Sequence, residues 1–241
     1  MQKSVNKARL LLVDDHPMVR NGLAELINRT SDLVCCGEVG TAFEAQQTAA
    51  ELKPDLVLLD LRLSQGDGLE LLKVYKSHFP SLKVLVLSQL DELTYAERTL
   101  RAGAMGYVMK ENATNDILSA IRQVLAGGIY VSSQLNELAV RRMAGTHDKA
   151  DNASPSSMDI LTDRELQVFE LLGKGESTRK IADALHLSLK TIESHRENIK
   201  RKLGLRDAAA LVHRATLWKR NEVRADKGAE IPRQINLKGL F

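Results

Sequence analysis

Five short apolar segments alternate with amphipathic segments through the first half of the chain. Each apolar segment spans four residues with almost no polar side chains, which is typical of strands covered on both faces. These segments are Leu10–Val13, Leu33–Cys36, Leu56–Leu59, Val84–Leu87 and Gly106–Met109. The segments between them repeat apolar residues at helical spacing, as in Met18–Ile27 and Ile117–Leu125. Five strand–helix repeats predict a parallel sheet with helices on both faces.

The second half of the chain shows helical patterns alone. Thr162 and Glu165 form a capping-box pattern ahead of an apolar helix. A short helix over Thr178–Leu185 and a tight turn precede a third helix that runs to Leu203, and a fourth starts at Asp207. Helix, tight turn, helix is the plan of the helix-turn-helix motif, whose second helix enters the major groove of DNA.

Composition divides the chain between these two patterns. Residues 144–157 are small and polar, include Pro155 and lack apolar periodicity, which predicts a linker. We therefore expect an α/β domain over 1–130, a linker over 131–157, an all-α four-helix domain over 158–223 and a C-terminal tail over 224–241 to which we assign no function.

The charge is also divided. The net charge of +3 combines −3 over residues 1–140 with +6 over residues 141–241. A basic second domain is a candidate for binding a polyanion such as DNA, although a solubilising surface would have the same charge.

Several classes of protein do not fit the sequence. No segment approaches 18 uncharged apolar residues, so we expect no membrane span, and the N-terminus lacks the pattern of a secretory signal. Cys35 and Cys36 are neighbours that cannot form an ordinary disulfide with each other, which favours a reducing cytoplasmic location. Cys and His are too few in any cluster for a structural zinc site.

Reactive side chains follow four of the five predicted strands. These side chains are Asp14, Asp15, Asp60, Ser88 and Lys110. A single aspartate after a strand is usually a turn former, but chance does not readily place five such residues at one sheet edge. Crowded carboxylates repel one another, and a hard cation such as Mg²⁺ relieves that repulsion. A lysine and a hydroxyl beside them suit phosphoryl oxygens, so the sequence predicts phosphoryl transfer onto an aspartate.

Residues 8–127 resemble a response-regulator receiver domain. The motifs that carry the resemblance are LLLVDDHPMVRNGL, LVLLDLRLSQGDGLELL, VLVLS and GAMGYVMK. The resemblance implies a flavodoxin-like fold with strand order 2-1-3-4-5. Two positions depart from the pattern. Glu111 follows the lysine where many receivers have proline, and Ser64 stands where proline is also common.

The resemblance implies a role for each reactive residue. Asp60 would be the phosphoacceptor. The implied Mg²⁺ ligands are Asp14, Asp15, Asp60 and the backbone carbonyl of Arg62. Lys110 would bind the phosphoryl group, while Ser88 and Tyr107 would be the switch hydroxyl and the switch aromatic.

The segment LTDRELQVFELLGKGESTRKIADALHLSLKTIESHRENIKRKLGL resembles the LuxR-type DNA-binding domain almost end to end. Together with the receiver, it makes the chain similar to response regulators of the NarL/FixJ type. The polar face of the third helix supplies candidate contacts with DNA. Candidates for base edges are Glu193, Ser194 and Glu197, and candidates for phosphates are Lys190, Thr191, Lys200, Arg201 and Lys202, with Arg196 on the same face. The two glutamates depart from the many relatives with Lys or Val there. His195 and Trp218 are expected in the helical core.

The resemblance implies a phosphorylation-dependent transcription regulator, not an enzyme. A sensor histidine kinase would supply the phosphoryl group, promoter DNA would be the target, and phosphorylation would promote homodimerisation. An Mg²⁺-dependent phosphohydrolase is a second interpretation, but Arg62 stands where such enzymes usually have an acidic residue. A receiver that acts only as an unphosphorylated interaction domain is a third. Intact Asp14, Asp60 and Lys110 argue against it.

Overall fold

The computed structural model describes residues 7–111, 113–143, 158 and 160–227. It forms two units, Met1–Asn152 and Ala153–Phe241. Residues 144–157, which the composition marks as linker, and the tail beyond residue 227 lie outside the described residues.

The first unit is built on a five-stranded parallel sheet. Its strands are β1 (Ala8–Val13), β2 (Leu33–Val39), β3 (Leu56–Leu59), β4 (Lys83–Ser88) and β5 (Gly106–Met109). Their order is β2-β1-β3-β4-β5, which confirms the flavodoxin-like expectation. β1 pairs with β3 from Leu10 opposite Leu56, and β3 pairs with β4 from Leu56 opposite Lys83. All the strands therefore end at one edge of the sheet.

Within the described residues, six helices accompany the sheet. They are α1 (Pro17–Asn28), α2 (Ala42–Leu52), α3 (Gly68–His78), α4 (Glu92–Ala102), α5 (Ala113–Leu125) and α6 (Ser133–Met143). Four of these helices begin, within the described residues, at side chains that accept backbone N–H groups of the first turn, namely Thr41, Asp67, Asp91 and Ser132. Such caps satisfy donors that the helix itself leaves unpaired.

The core of this unit lies between the sheet and its helices. Successive strand residues point to opposite faces, so Leu10, Leu12, Leu56 and Leu58 share the face that α1 and α5 cover together. α5 contributes Ile117, Ala120, Ile121 and Val124, and all of these side chains are buried. Complete burial of a Leu side chain contributes roughly 1.5–3 kcal/mol, so this layer fixes the strand ends firmly.

The first unit extends beyond its expected end at residue 130. Tyr130 forms an isolated parallel bridge with Gly106 of β5, and α6 follows inside the range expected to be linker. The sequence of α6 is mostly polar, and its leucines at 135 and 138 are half-buried.

The second unit is helical, as expected. Its helices are α7 (Asp163–Gly173), α8 (Thr178–Leu185), α9 (Leu189–Leu203) and α10 (Ala208–Lys227). The predicted capping box is present at Thr162 and Glu165. Ser177 and Ser188 cap the next two helices, and α9 ends at Gly204 with a positive φ. α10 continues four residues past the expected boundary at 223.

The second unit has a core of its own buried residues. Buried residues of α7, α8, α9 and α10 line it, among them Phe169, Ile181, Ile192, Ile199, Leu211 and Ala215. Trp218 is half-buried, and its ring centroid lies 5.6 Å from that of Phe169. His195 is half-buried on the inner side of α9, and burial lowers its pKa.

Two further expectations concern the cysteines and the membrane. Cys35 and Cys36 are free and half-buried in β2. Burial raises the pKa of Cys35 to about 11 and also raises the pKa of Cys36. Within the described residues, no helix combines the length and apolar character needed to cross a membrane.

Candidate functional site

Four strands deliver the reactive side chains to one edge of the sheet. Asp14 follows β1, Asp60 follows β3, Ser88 ends β4 and Lys110 follows β5. Asp14 and Asp60 are each 3% exposed and Ser88 is fully buried. Polar groups at this depth need partners, because an unpaired buried charge is strongly unfavourable.

Lys110 is the centre of the cluster. Its Nζ lies 2.5 Å from both Asp14 Oδ2 and Asp60 Oδ2. Asp60 Oδ1 accepts the Ser88 hydroxyl at 3.0 Å and the Arg62 backbone N–H at 3.0 Å. The structure therefore brings together the aspartates, the serine and the lysine that the sequence predicts at this edge.

Burial and charge act against each other at this site. Burial raises the pKa of Asp60, and the Lys110 ammonium opposes that rise. Burial alone would lower the pKa of Lys110, but the neighbouring carboxylates of Asp60 and Asp14 raise it above its usual range. Lys110 is therefore a fixed positive charge directed at Asp60.

The acidic cluster suits a hard divalent cation. Asp14, Asp15, His16 and Asp60 each offer a ligand atom, and these atoms lie within 4.8 Å of one another. Asp14 Oδ2 and Asp15 Oδ1 are buried and, among the described residues, have ion-pair neighbours but no aligned hydrogen-bond donor. Carboxylate oxygens with spare lone pairs are the donors that Mg²⁺ prefers. The part of the Arg62 carbonyl in this set stays a prediction.

Two residues beside the site escaped the sequence analysis. His16 Nδ1 lies 2.7 Å from Asp15 Oδ1 and 3.2 Å from Asp14 Oδ1, so it neighbours both carboxylates. Arg20 of α1 donates to the backbone carbonyl of Asp14 and holds the loop after β1. The signal for His16 was its place directly after the acidic pair, whereas nothing local marks Arg20.

A glycine allows the chain to turn back beneath Asp60. Gly68 donates its N–H to the Leu61 carbonyl at 3.2 Å. A Cβ at this position would lie 2.5 Å from the Cα of Leu61, so a larger residue would displace the loop that holds Asp60.

Tyr107 is turned into the protein. Its side chain is 1% exposed, and its hydroxyl donates to the Leu90 carbonyl at 2.7 Å in the loop between β4 and α4. Burial raises the pKa of Tyr107 well above its usual value, so the phenol is neutral. The residue expected to be the switch aromatic thus touches the loop that begins with the switch serine.

The second candidate surface lies on α9. Five of the predicted DNA contacts are exposed and recur at helical spacing along one stripe, namely Lys190, Glu193, Ser194, Glu197 and Arg201. Thr191 is half-buried and its hydroxyl lies 2.7 Å from that of Ser188, the N-cap. Lys200 pairs with Glu197 at 2.8 Å, and its side chain is 18% exposed.

Arg196 and Lys202, two of the predicted DNA contacts, have partners on neighbouring helices of the domain. Arg196 donates to the Thr178 hydroxyl on α8. Lys202 Nζ lies 2.6 Å from Glu165 Oε2, and that carboxylate is 4% exposed. These contacts tie α9 to its neighbours, and whether either side chain also meets DNA stays a prediction.

Known protein families account for both units. Residues 10–122 match the response regulator receiver domain, and residues 159–215 match the luxR family of bacterial regulatory proteins. The oxygen regulatory protein NreC of Staphylococcus aureus is 33% identical over 208 residues, which is 86% of this chain and 96% of that protein.

The chain is a response regulator of the NarL/FixJ type.

Solved structures of related response regulators agree. RcsB from Salmonella enterica serovar Typhimurium, bound to promoter rprA with phosphomimetic BeF3⁻, is 25% identical. The match covers 88% of this chain and 99% of RcsB with a TM-score of 0.58. A LuxR-family response regulator from Aurantimonas is 32% identical over 57% of this chain and 99% of that chain, with a TM-score of 0.54.

Membership of this family establishes the general function of the chain. A response regulator with a receiver domain and a LuxR-type domain is a phosphorylation-dependent transcription regulator of a two-component system. The expected fold of two domains is confirmed with it.

Proposed function

We propose that Asp60 of this response regulator accepts a phosphoryl group from a sensor histidine kinase, and that this modification controls DNA binding by α9. The observation that carries the proposal is the position of Lys110 Nζ, 2.5 Å from both Asp14 and Asp60 at the carboxyl edge of the sheet. A lysine held between two buried carboxylates supplies a point charge where phosphoryl oxygens would arrive.

The chain's own groups perform the transfer. A carboxylate oxygen of Asp60 attacks phosphorus and forms the new P–O bond, while the donor's leaving group departs with the bonding electron pair. Lys110 stabilises the charge on the phosphoryl oxygens. The Ser88 hydroxyl donates to Asp60 Oδ1 at 3.0 Å before the transfer, and afterwards it donates to one of the phosphoryl oxygens. The N–H of Arg62 holds Asp60 in position.

Asp14, Asp15, Asp60 and the carbonyl of Arg62 would hold Mg²⁺, which when bound neutralises charge at the acidic cluster and on the phosphoryl group. The donor set consists of hard oxygens, with the imidazole of His16 beside it. Because three carboxylates face a single lysine here, the site retains an excess of negative charge that a cation would balance.

Phosphorylation changes the charge at Asp60 from −1 to nearly −2 and adds acceptor oxygens. Ser88 then bonds a phosphoryl oxygen instead of the free carboxylate. The loop from Ser88 to Leu90 follows, and Tyr107 moves with it because its hydroxyl bonds the Leu90 carbonyl. Phosphorylation thus biases the surface formed by α4, β5 and α5, and homodimerisation and DNA binding respond to that bias.

On the DNA side, the exposed stripe of α9 enters the major groove of promoter DNA. Glu193, Ser194 and Glu197 precede the basic last turn of α9, and their side chains reach base edges. A glutamate can accept a hydrogen bond from cytosine N4. Lys190 and Arg201 flank these three residues and contact phosphates. Lys202 and Arg196 hold α9 against α7 and α8 through Glu165 and Thr178.

We further propose that the protein acts in the cytoplasm and does not turn over a substrate. The argument against a phosphohydrolase is Arg62, two residues after Asp60, where a guanidinium replaces the acidic group that would protonate a leaving oxygen.

The decisive experiment labels the chain with acetyl phosphate in the presence of Mg²⁺. Wild type and an Asp55→Asn control, which makes the same chemical change at the opposite end of β3, become phosphorylated and then bind promoter DNA more tightly in fluorescence anisotropy. Asp60→Asn is not labelled, and acetyl phosphate does not change its affinity. Full labelling of Asp60→Asn would refute the assignment of the phosphoacceptor.

A further inference from the structure

The chain that leaves α5 returns to the sheet before it forms α6. The Tyr107 N–H donates to the Tyr130 carbonyl at 2.8 Å, and the Tyr130 N–H donates to the Met105 carbonyl at 3.0 Å. Tyr130 therefore forms a single bridge beside β5, the strand that carries the buried Tyr107.

Glu92 fixes the start of α6. The backbone N–H of Ser132 donates to Glu92 Oε1 at 2.8 Å, and the Ser132 hydroxyl accepts the Leu135 N–H at 3.2 Å as the cap of α6. Glu92 is the first residue of α4 and is 7% exposed, although it is charged. A buried carboxylate on a backbone N–H forms a stronger hydrogen bond than a neutral acceptor does.

The start of α4 is also linked to the phosphoacceptor, through the hydrogen bond from Ser88 to Asp60. Ser88 Oγ donates to Asp60 Oδ1 and accepts the Leu90 N–H at 3.4 Å, so the last residue of β4 also holds the loop that leads into α4. Glu92 is four residues after Ser88 on that continuous segment. A displacement of Ser88 toward a phosphoryl oxygen therefore reaches Glu92 through only a few peptide units.

We propose that Glu92 is a positioning residue that couples the state of Asp60 to the start of α6, and through α6 to DNA binding. This inference rests on the proposed function of Asp60. The physical reason is the cost of separating the pair: if α4 moved while α6 stayed, Glu92 would be left as a buried carboxylate without its donor. The start of α6 must therefore follow the start of α4.

The test uses the full chain and three variants. Glu92→Ala removes the acceptor, and Glu92→Gln keeps an oxygen of the same reach without the charge. Glu25→Ala removes a carboxylate from α1, at an exposed position that pairs with Arg29 one helical turn away. For each protein we would measure acetyl phosphate labelling, and the ratio of DNA affinities with and without phosphorylation.

We expect all four proteins to be labelled to the same extent, because none of the changes touches the site at Asp60. Phosphorylation should raise the DNA affinity of wild type, Glu92→Gln and Glu25→Ala alike. In Glu92→Ala that increase should shrink at least about fivefold, the lower end of typical coupling between sites. Rescue by glutamine separates positioning from a general loss of stability.

Hydrogen exchange of the wild-type chain gives a second readout that does not depend on a variant's folding. Amides of residues 129–135 should exchange more slowly after phosphorylation, because a phosphoryl group that holds Ser88 also holds Glu92 and hence the Ser132 N–H. Unchanged or faster exchange there, or a normally labelled Glu92→Ala with wild-type coupling, would overturn the inference while leaving the role of Asp60 intact. If wild type itself showed no labelling, both proposals would fail.

Discussion

Replacement of Lys202 by alanine separates the two roles that its position permits. As a DNA contact, Lys202 would add to affinity and leave the domain's stability unaffected. As the partner of Glu165, it would stabilise the helical domain and contribute little to DNA binding. The 2.6 Å contact with a carboxylate that is 4% exposed favours the second role.

The size of the effect follows from the burial of each partner. Removal of one member of a fully buried pair costs about 3–5 kcal/mol, and an exposed pair contributes about 0–1 kcal/mol. Lys202 is 30% exposed, and Glu165 keeps the Thr162 N–H at 2.7 Å. We therefore expect Lys202→Ala to lower the unfolding free energy by about 2 kcal/mol, near the charged hydrogen-bond range of roughly 1.5–3 kcal/mol.

The same pair gives a dependence on pH. Burial alone would raise the pKa of Glu165, but hydrogen bonds from Lys202 and Thr162 outweigh it and lower the pKa below the usual 4.5. A lowered carboxyl pKa adds stability above the unfolded value, and that stability is lost as the pH falls through the folded value. The difference between wild type and Lys202→Ala should therefore shrink in acid.

The assay exploits the single tryptophan of the chain. Trp218 lies against Phe169 of α7, so its fluorescence during urea denaturation reports the second unit. In parallel, DNA affinity is measured against salt, where each phosphate contact contributes a slope of about −0.9. Lys190→Ala, on the exposed stripe, is the matched control and should lose about one such unit with little change in stability. Our reasoning is refuted if Lys202→Ala loses that slope and keeps the wild-type urea midpoint.

Two further predictions concern the first unit. Tyr107→Phe removes the donor to the buried Leu90 carbonyl and should cost about 1–2 kcal/mol of unfolding free energy, measured by urea denaturation followed by circular dichroism. An unchanged midpoint would contradict this bond. Arg122→Ala should return the pKa of Asp32 from about 2 toward its ordinary 3.8, because the hydrogen bond from Arg122 is the main cause of the lowering. An NMR titration of Asp32 checks this, and a pKa still near 2 in the variant would exclude that cause.

The alternation of elements and the gathering of the reactive residues were predictable from the sequence. Apolar segments of four residues predicted the strands, and parallel strands deliver their carboxyl ends to one edge. This rule placed Asp60, Ser88 and Lys110 at the same edge of the sheet, and their contacts in the structure confirm it. The strand order could be predicted only from the family resemblance, because local sequence patterns do not show which strands are adjacent in the sheet.

What escaped prediction depends on contacts between residues distant in sequence. α6 has a mostly polar sequence whose start is fixed by Glu92, 40 residues earlier. Lys202 and Glu165 are separated by 37 residues, and a lysine on a polar helix face gives no sign of an inward partner. Backbone donors such as the Ser132 N–H leave no trace in a side-chain pattern.

The raised thiol pKa values in β2 have a practical consequence for spectroscopy. At neutral pH, a group with a pKa of about 11 is ionised in roughly one molecule in ten thousand, and maleimides react with the ionised form. Cys35 should stay unmodified while an introduced surface cysteine reacts. Burial also raises the pKa of the half-buried Cys36, which should slow its reaction in the same way. With one introduced cysteine on each unit, a donor dye and an acceptor dye could be attached to the otherwise native chain. Energy transfer between the dyes would then report the distance between the two units before and after activation.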